Sequence, residues 1–228
     1  NDGDGNFTDS GQNLGNSGSF RVALGDLDGD GDTDAFVANF YQANKVWLND
    51  GNGNFTDSGQ NLSNKSSRAV ALADLDGDGD MDAFVGNHIQ PNKVWINDGS
   101  GNFTDNGQPL PGSWGVALGD LDGDGDLDAF VAIIGSNKVY FNDGSGNFTD
   151  NGQSLGGYWS RDVALGDLES DGDIDAFVAN SLEPNKVWIN MDPTNFTTSM
   201  ISTDVQCSYC DGTASVAASG TYPPFYYL

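Results

Sequence analysis

The sequence predicts an all-β fold of β-propeller-type blades, each built from four antiparallel strands. Three observations carry this prediction. The string DLDGDGDTDAFVAN from Asp26 returns at Asp74, Asp120 and Asp167, at offsets of 48, 46 and 47 residues. Each unit holds short alternating or β-branched runs bounded by Gly, Asn and Asp. No segment sustains helical periodicity. A repeat of about 47 residues with four short strands has the size of one propeller blade.

Within the first unit the strands follow in order. Strand A, residues 20–25 (FRVALG), sets Val22 and Leu24 on one face. Strand B, residues 34–39 (DAFVAN), is a compact apolar run. Strand C, residues 44–49 (NKVWLN), places Val46 and Leu48 opposite Lys45 and Trp47. The turn NDGNG is a hairpin signal that leads into strand D, residues 54–57 (NFTD). The blades are expected at about 16–62, 63–110, 111–156 and 157–199, after a D strand within 1–15 left from a preceding blade. Because the fourth blade has its own D-like segment around Phe196, a larger ring or an open array of blades is expected rather than a closed four-bladed ring. The sequence opens at Asn1 inside a repeat, with no visible signal peptide, and reads as a piece of something longer.

Composition narrows the partners. The net charge is −26 and Lys and Arg total 8, so no basic stripe exists to neutralise phosphates, and nucleic acid is not an expected partner. No apolar run reaches the roughly 18–20 residues of a membrane span, and membrane insertion is not expected. Disorder is disfavoured by the 37% hydrophobic and 11% aromatic content. Cys207 and Cys210 lie outside the repeats. One CxxC cannot supply four zinc ligands, leaving a disulfide or a pair of thiols.

Twenty of the 34 acids sit in the four A–B connections. The first has carboxylates at Asp26, Asp28, Asp30 and Asp34, in the pattern D-x-D-x-D-G-x-x-D. Alternate residues of a curled loop can point inward, Gly31 permits the sharp turn, and the carbonyl of Asp32 would face an ion that Asp34 closes in. The other candidate sets are Asp74, Asp76, Asp78, Asp80 and Asp82; Asp120, Asp122, Asp124, Asp126 and Asp128; and Asp167, Glu169, Asp171, Asp173 and Asp175. The ion expected is Ca²⁺, about four in all, because it takes six to eight oxygens, whereas Mg²⁺ keeps several waters. Two like charges ~5 Å apart repel by about 3 kcal/mol at an effective dielectric of ~20, so convergent carboxylates favour a bound cation over a plain turn. Glu169 and Ser170 depart from the pattern, making the fourth site the weakest. An EF-hand loop is similar only locally, since the flanking helices are missing.

The D-x-D-x-D-G-x-x-D loop followed by AFV, in units with NDGxGxFTD, resembles the FG-GAP/VCBS repeat family, which includes the propeller head of integrin α chains and many secreted bacterial proteins. The resemblance covers residues 1 to about 199. It implies a propeller with calcium in the A–B loops and an extracellular or cell-surface setting. It implies no ligand-binding residues, because no other family motif matches. Residues 200–228 read as a linker and the start of another domain: CDGTASVAASG followed by PPFYYL resembles the opening of a gliding-adhesin (SprB-type) immunoglobulin-like repeat.

Strand order puts the A–B and C–D loops on one face and the D–A and B–C loops on the other. The first face is nearly constant between units and the second varies. Exposed loops on a rigid scaffold commonly carry recognition. Phe40, Tyr41, His88, Trp114, Tyr158 and Trp159 on the variable face could stack on a protein or glycan ligand, or Trp114 and Phe20 could simply fill the ring centre. The recurrent Trp47, Trp95, Tyr140 and Trp188 of strand C point to packing between blades, and Lys45, Lys93, Lys138 and Lys186 to bracing of nearby carboxylates. The NFT sequons at Asn6, Asn54, Asn102, Asn147 and Asn195, and NKS at Asn64, match glycosylation acceptors, although within the repeats NFT serves as turn and strand. The one histidine comes with no supporting nucleophile–His–Asp motif, and the clustered carboxylates are claimed by calcium, so no enzyme is expected. The expected function is a calcium-stabilised binding or adhesion module; the alternative is a structural spacer or filament subunit, with self-assembly.

Overall fold

The computed structural model describes residues 3–191, which contain fifteen β-strands and no helix. Blade 1 is β1 (Ser19–Gly25), β2 (Asp34–Asn39), β3 (Lys45–Asn49) and β4 (Phe55–Asp57). Blade 2 is β5 (Ser67–Ala73), β6 (Asp82–Asn87), β7 (Lys93–Asn97) and β8 (Phe103–Asp105). Blade 3 is β9 (Gly115–Gly119), β10 (Asp128–Ala132), β11 (Ile134–Asn142) and β12 (Phe148–Asp150). Blade 4 shows β13 (Leu155–Gly166), β14 (Asp175–Asn180) and β15 (Lys186–Trp188). Every strand pairing is antiparallel, with Val22 opposite Val37, Phe36 opposite Val46 and Trp47 opposite Asp57 in the first blade. The four-stranded blades predicted from the repeat are therefore present.

Blades stack through their faces. Phe36, Ala38 and Val46 of blade 1 are buried with Val70, Trp95 and Phe103 of blade 2. Phe84 and Val94 meet Val116, Tyr140 and Phe148 in the same way, and Phe130 and Val139 meet Val163 and Val178. Phe36 packs edge-on against Phe103 at 5.5 Å, and Phe84 against Phe148 at 5.3 Å. Full burial of such a side chain stabilises by about 1.5–3 kcal/mol, so the apolar cores lie between blades rather than within one. The strand-C residue Trp95 belongs to such a core. Lys45, Lys93 and Lys138 each pair with a strand-D aspartate, Asp57, Asp105 and Asp150.

A glutamine clasp reinforces each junction. Gln60 of the first D–A linker donates to the carbonyl of Gly101 and accepts from Phe103 N, closing onto the next blade's C–D turn. Gln108 does the same to Gly146 and Phe148. Gln12 does so to Gly53 and Phe55.

Two elements differ from expectation. The leading segment forms no strand: residues 6–18 are irregular and Phe7 is 83% exposed. A three-residue edge strand needs a C strand to pair with, and no strand of the described residues pairs with this segment. The third and fourth blades are joined into one sheet by β11 pairing with β13, Ile134 opposite Trp159 and Gly135 opposite Tyr158. In the other blades an asparagine at the end of strand B turns the chain: the Asn39 amide donates to Ala43 O, Asn87 to Pro91 O and Asn180 to Pro184 O. Ile133 stands at that place in blade 3 and cannot make the bond, so the chain runs on extended. The D-like segment around Phe196, the tail with Cys207 and Cys210 and the proposed immunoglobulin-like start lie outside the described residues.

The outer faces of the stack stay open. Phe177 of blade 4 is 45% exposed, while its equivalents Phe36, Phe84 and Phe130 are 0–3% exposed. Val187 is exposed on the same blade, as are Val22 and Leu24 on blade 1. Blades 1 and 4 thus do not bury these faces against each other, although Arg21 of β1 and Asp162 of β13 form an ion pair at 3.3 Å.

Candidate metal centre

Each A–B connection curls because its fourth and sixth positions adopt left-handed backbone, both glycine in the first three loops, with Gly29 at φ 75° and Gly31 at φ 89° in blade 1. The aspartate at position one holds the curl. Asp26 accepts from Gly29 N with one oxygen and Gly31 N with the other, at 2.9 and 3.0 Å. Asp74, Asp120 and Asp167 repeat the pattern. Position three turns its carboxylate back on position five, as Asp28 does to Asp30 N.

Position nine has a second role that spacing alone did not show. Asp34, Asp82, Asp128 and Asp175 are buried at the start of strand B. Asp82 accepts from Leu75 N at 2.8 Å and Asn97 N at 2.7 Å. Asp34, Asp128 and Asp175 make the same two bonds. The strand-C asparagine continues the chain of bonds into the preceding blade: Asn97 Nδ2 donates to Leu27 O, Asn142 to Leu75 O and Asn190 to Leu121 O. A hydrogen-bonded ladder thereby passes from loop to loop, Asp34–Leu27–Asn97–Asp82–Leu75–Asn142–Asp128 and onward to Asp175. Gln60, Asn97 and their equivalents recur with the period, and that recurrence was the signal available for them.

The loops bring carboxylates together. One oxygen each from Asp26, Asp28 and Asp34 lies within 4.8 Å of the others; so do oxygens of Asp74, Asp76 and Asp78, and of Asp120, Asp122 and Asp128. Asp30, Asp82 and Asp124 stand outside these three-oxygen sets but in the same loops. Asp32, Asp80 and Asp126 direct their carboxylates over Gly51, Gly99 and Gly144 of the C–D turns, where a Cβ would collide with them. Their side chains are thereby placed at the turn and leave only the backbone carbonyl for an ion. Among the described residues the fourth loop gathers no such set. Ser170 there occupies the glycine conformation at φ 63°, which costs a residue with a side chain about 1 kcal/mol. Ser170→Gly is expected to stabilise the protein by about 0.5–1 kcal/mol, read as a rise of about 1–4 °C in Tm by differential scanning calorimetry; a fall would show that Ser170 makes a bond worth more than the strain.

The charges are not neutralised from within. Burial, then neighbouring carboxylates, hold Asp28, Asp76 and Asp122 above the usual carboxylate range. Burial pushes Asp82 up to about 6 against its two hydrogen bonds. Glu169 is raised by desolvation and by Asp171. The C–D turn acids go the other way. Asp50, Asp98 and Asp143 are lowered, first by the side-chain amides of Asn54, Asn102 and Asn147, so these NFT asparagines are engaged in holding the turn. An oxygen-only set of convergent acids, without histidine or thiolate, suits a hard divalent cation.

A family model described as FG-GAP-like repeat matches residues 26–85, 74–131 and 120–178. No curated protein matches the chain. Among solved structures, the computationally designed Ika4 protein is 16% identical over 78% of this chain and 98% of its own, at a TM-score of 0.49. The BP39L lectin from Burkholderia pseudomallei is 17% identical over 78% of this chain and 57% of its own, at 0.48. An Agrocybe aegerita lectin, described as recognising non-reducing terminal N-acetylglucosamine, is 21% identical over 73% of this chain and 51% of its own, at 0.43.

Proposed function

Since the chain belongs to the FG-GAP-like repeat family, we propose that it is a calcium-stabilised, non-catalytic binding module of an extracellular or cell-surface protein. The observation that carries the reading is the threefold recurrence of three carboxylate oxygens within 4.8 Å. Calcium would be held by the acids at positions one, three, five and nine, with the carbonyl of position seven. Its flexible coordination by six to eight oxygens suits a loop already braced by backbone N–H groups. Bound calcium supplies the cation that the converging acids lack. The chain's own residues fix the loop shape, through Asp26 and its equivalents, and tie each loop to strand B and the next blade, through Asp34 and Asn97 and their equivalents.

The scaffold would present the variable face to a protein or glycan. That face exposes Tyr41, Ile89, Trp159 and Leu182. Tyr41, Ile89 and Leu182 sit at φ 54–63°, so the B–C loops are sharply turned and display large side chains. The one histidine, His88, packs at a tilt against Trp114, ring centres 4.3 Å apart, where burial and nearby arginines lower its pKa, an arrangement suited to packing rather than proton transfer. Capture on glycan and protein arrays by the calcium-loaded chain, abolished by substitutions at Tyr41 and Trp159, tests the binding role.

Native mass spectrometry tests the metal. Three tightly held calcium ions and a weaker fourth are expected, and Asp78→Ala should lose one ion while leaving the others in place. A chain that carries no ion at millimolar calcium would sink the reading.

The open apolar faces favour a second reading, a structural array. Val22 and Leu24 at one end and Phe177 and Val187 at the other match the residues that bury against each other at internal junctions, so a second copy could continue the stack head to tail. Sedimentation velocity that stays monomeric at high concentration would remove it.

A further inference from the structure

The equivalent repeat positions six residues before each acidic loop, Phe20, Arg68, Trp114 and Arg161, alternate aromatic and arginine around one pocket of about 140 Å³, closed by Arg21 and Asp162. The chain has three arginines, Arg21, Arg68 and Arg161, and all three line it. The Arg68 guanidinium lies 4.0 Å from the Trp114 ring centre and 4.6 Å from that of Phe20; Arg161 lies 3.9 Å from that of Trp114. Arg21 is paired with Asp162. Neither Arg68 nor Arg161 has a carboxylate partner among the described residues, in a chain with 34 acids. Two donors here are buried without an acceptor, Arg68 Nε and Trp114 Nε1. Burial and the charge of Arg161 both press the Arg68 pKa down. Like charges held together in an acidic protein, with unsatisfied donors between aromatic rings, are a disposition that an anion relieves.

We propose that this pocket binds the carboxylate of an acidic sugar residue, a uronate or its like, with the sugar ring against the aromatic rim. The inference rests on the binding role proposed above and names the ligand class for the variable face. A guanidinium presents paired N–H donors that match a planar carboxylate. Phe20 and Tyr41 are exposed beside the cluster and offer apolar faces to the C–H face of a pyranose. The pocket has room for one monosaccharide-sized group, and its arginines form a positive island on a surface that otherwise repels acidic glycans, so capture would depend on these three side chains.

The experiment titrates the intact calcium-loaded chain with D-glucuronate, D-glucose and N-acetylglutamate, monitored by calorimetry and by saturation-transfer NMR. Glucuronate should bind and glucose should not. Arg68→Gln and Arg161→Gln should each weaken glucuronate by about tenfold or more, and Arg68→Lys by less, with melting curves confirming that each variant is folded. Should Arg68→Gln fail to fold, the selectivity of the unaltered chain among the three probes still decides. Glucuronate bound no better than glucose, or not at all, overturns the proposal; N-acetylglutamate bound as well as glucuronate overturns the sugar and makes this a peptide-carboxylate site. Array binding that persists without glucuronate binding would leave the module's binding role standing and refute this pocket alone.

Discussion

Calcium removal is expected to lower the melting temperature of the chain by about 15–30 °C. A ligand at about a hundred times its Kd stabilises the folded state by about 2.7 kcal/mol per site, so three sites give about 8 kcal/mol. For a folded body of this size each kcal/mol moves Tm by about 2–4 °C. The unfolded chain cannot assemble Asp26, Asp28 and Asp34 within 4.8 Å, so little of the effect is lost to binding in the unfolded state. The depleted protein should still melt cooperatively, because the cores built around Phe36, Phe84 and Phe130 contain no acid. Sodium chloride should recover little of the loss. At about 0.15 M it screens over roughly 8 Å, longer than the separations in a loop. Differential scanning calorimetry of protein dialysed free of calcium, then reloaded, measures the shift. A difference below about 2 °C would count against calcium as the structural ion.

Much of this was written in the period of the chain. A 47-residue repeat, alternation in FRVALG and NKVWLN, and the NDGNG turn carry strand identity, and the structure places β2 on the residues expected for strand B and begins β3 and β4 one residue later than expected. The curl of the acidic loop was legible as well, though the need for glycine at position four shows only in Gly29 and its strained replacement Ser170. What spacing could not convey was the two-sided use of single residues. Asp82 reads as a ligand, yet its oxygens also serve two backbone donors. Asn97 reads as the end of a strand, yet its amide reaches across to another blade. Gln60 reads as turn filler, yet it clasps the next C–D turn. The bonds of Asn97 and Gln60 span 70 and 43 positions, and nothing local in the sequence marks such partners. The merger of β11 with β13 follows from one substitution, Ile133 for asparagine, whose effect depends on a side-chain bond the sequence does not display.

The dual role of position nine has a consequence that separates scaffold from ligand. Asp82→Ala removes the acceptor of two buried N–H groups, Leu75 and Asn97. Each donor left unpaired costs about 1–3 kcal/mol, so a loss of about 2–5 kcal/mol is expected even in calcium-free buffer, a fall of about 5–15 °C in Tm. Asp78→Ala, at an exposed position whose carboxylate accepts from Asp80 N and otherwise faces the like charges of Asp74 and Asp76, should cost less than about 0.5 kcal/mol without calcium and show its effect only when calcium is present. The pH dependence separates the two states further. In the ion-free fold Asp82 titrates at about 6, above its ordinary value of 3.8; the folded state therefore binds the proton more tightly than the unfolded one. Its contribution to stability is full below about 4 and is lost as pH rises through 6, so calcium-free protein should gain stability when taken from pH 7 to pH 5. Calcium-loaded protein should lose it over the same interval, since protons then compete with the ion for the same oxygens. The Asp82→Ala variant should show a smaller gain without calcium. Parallel pH profiles in the two states, or an Asp82→Ala variant as stable as the parent in calcium-free buffer, would mean that Asp82 serves the ion alone and that the ladder between blades carries no load.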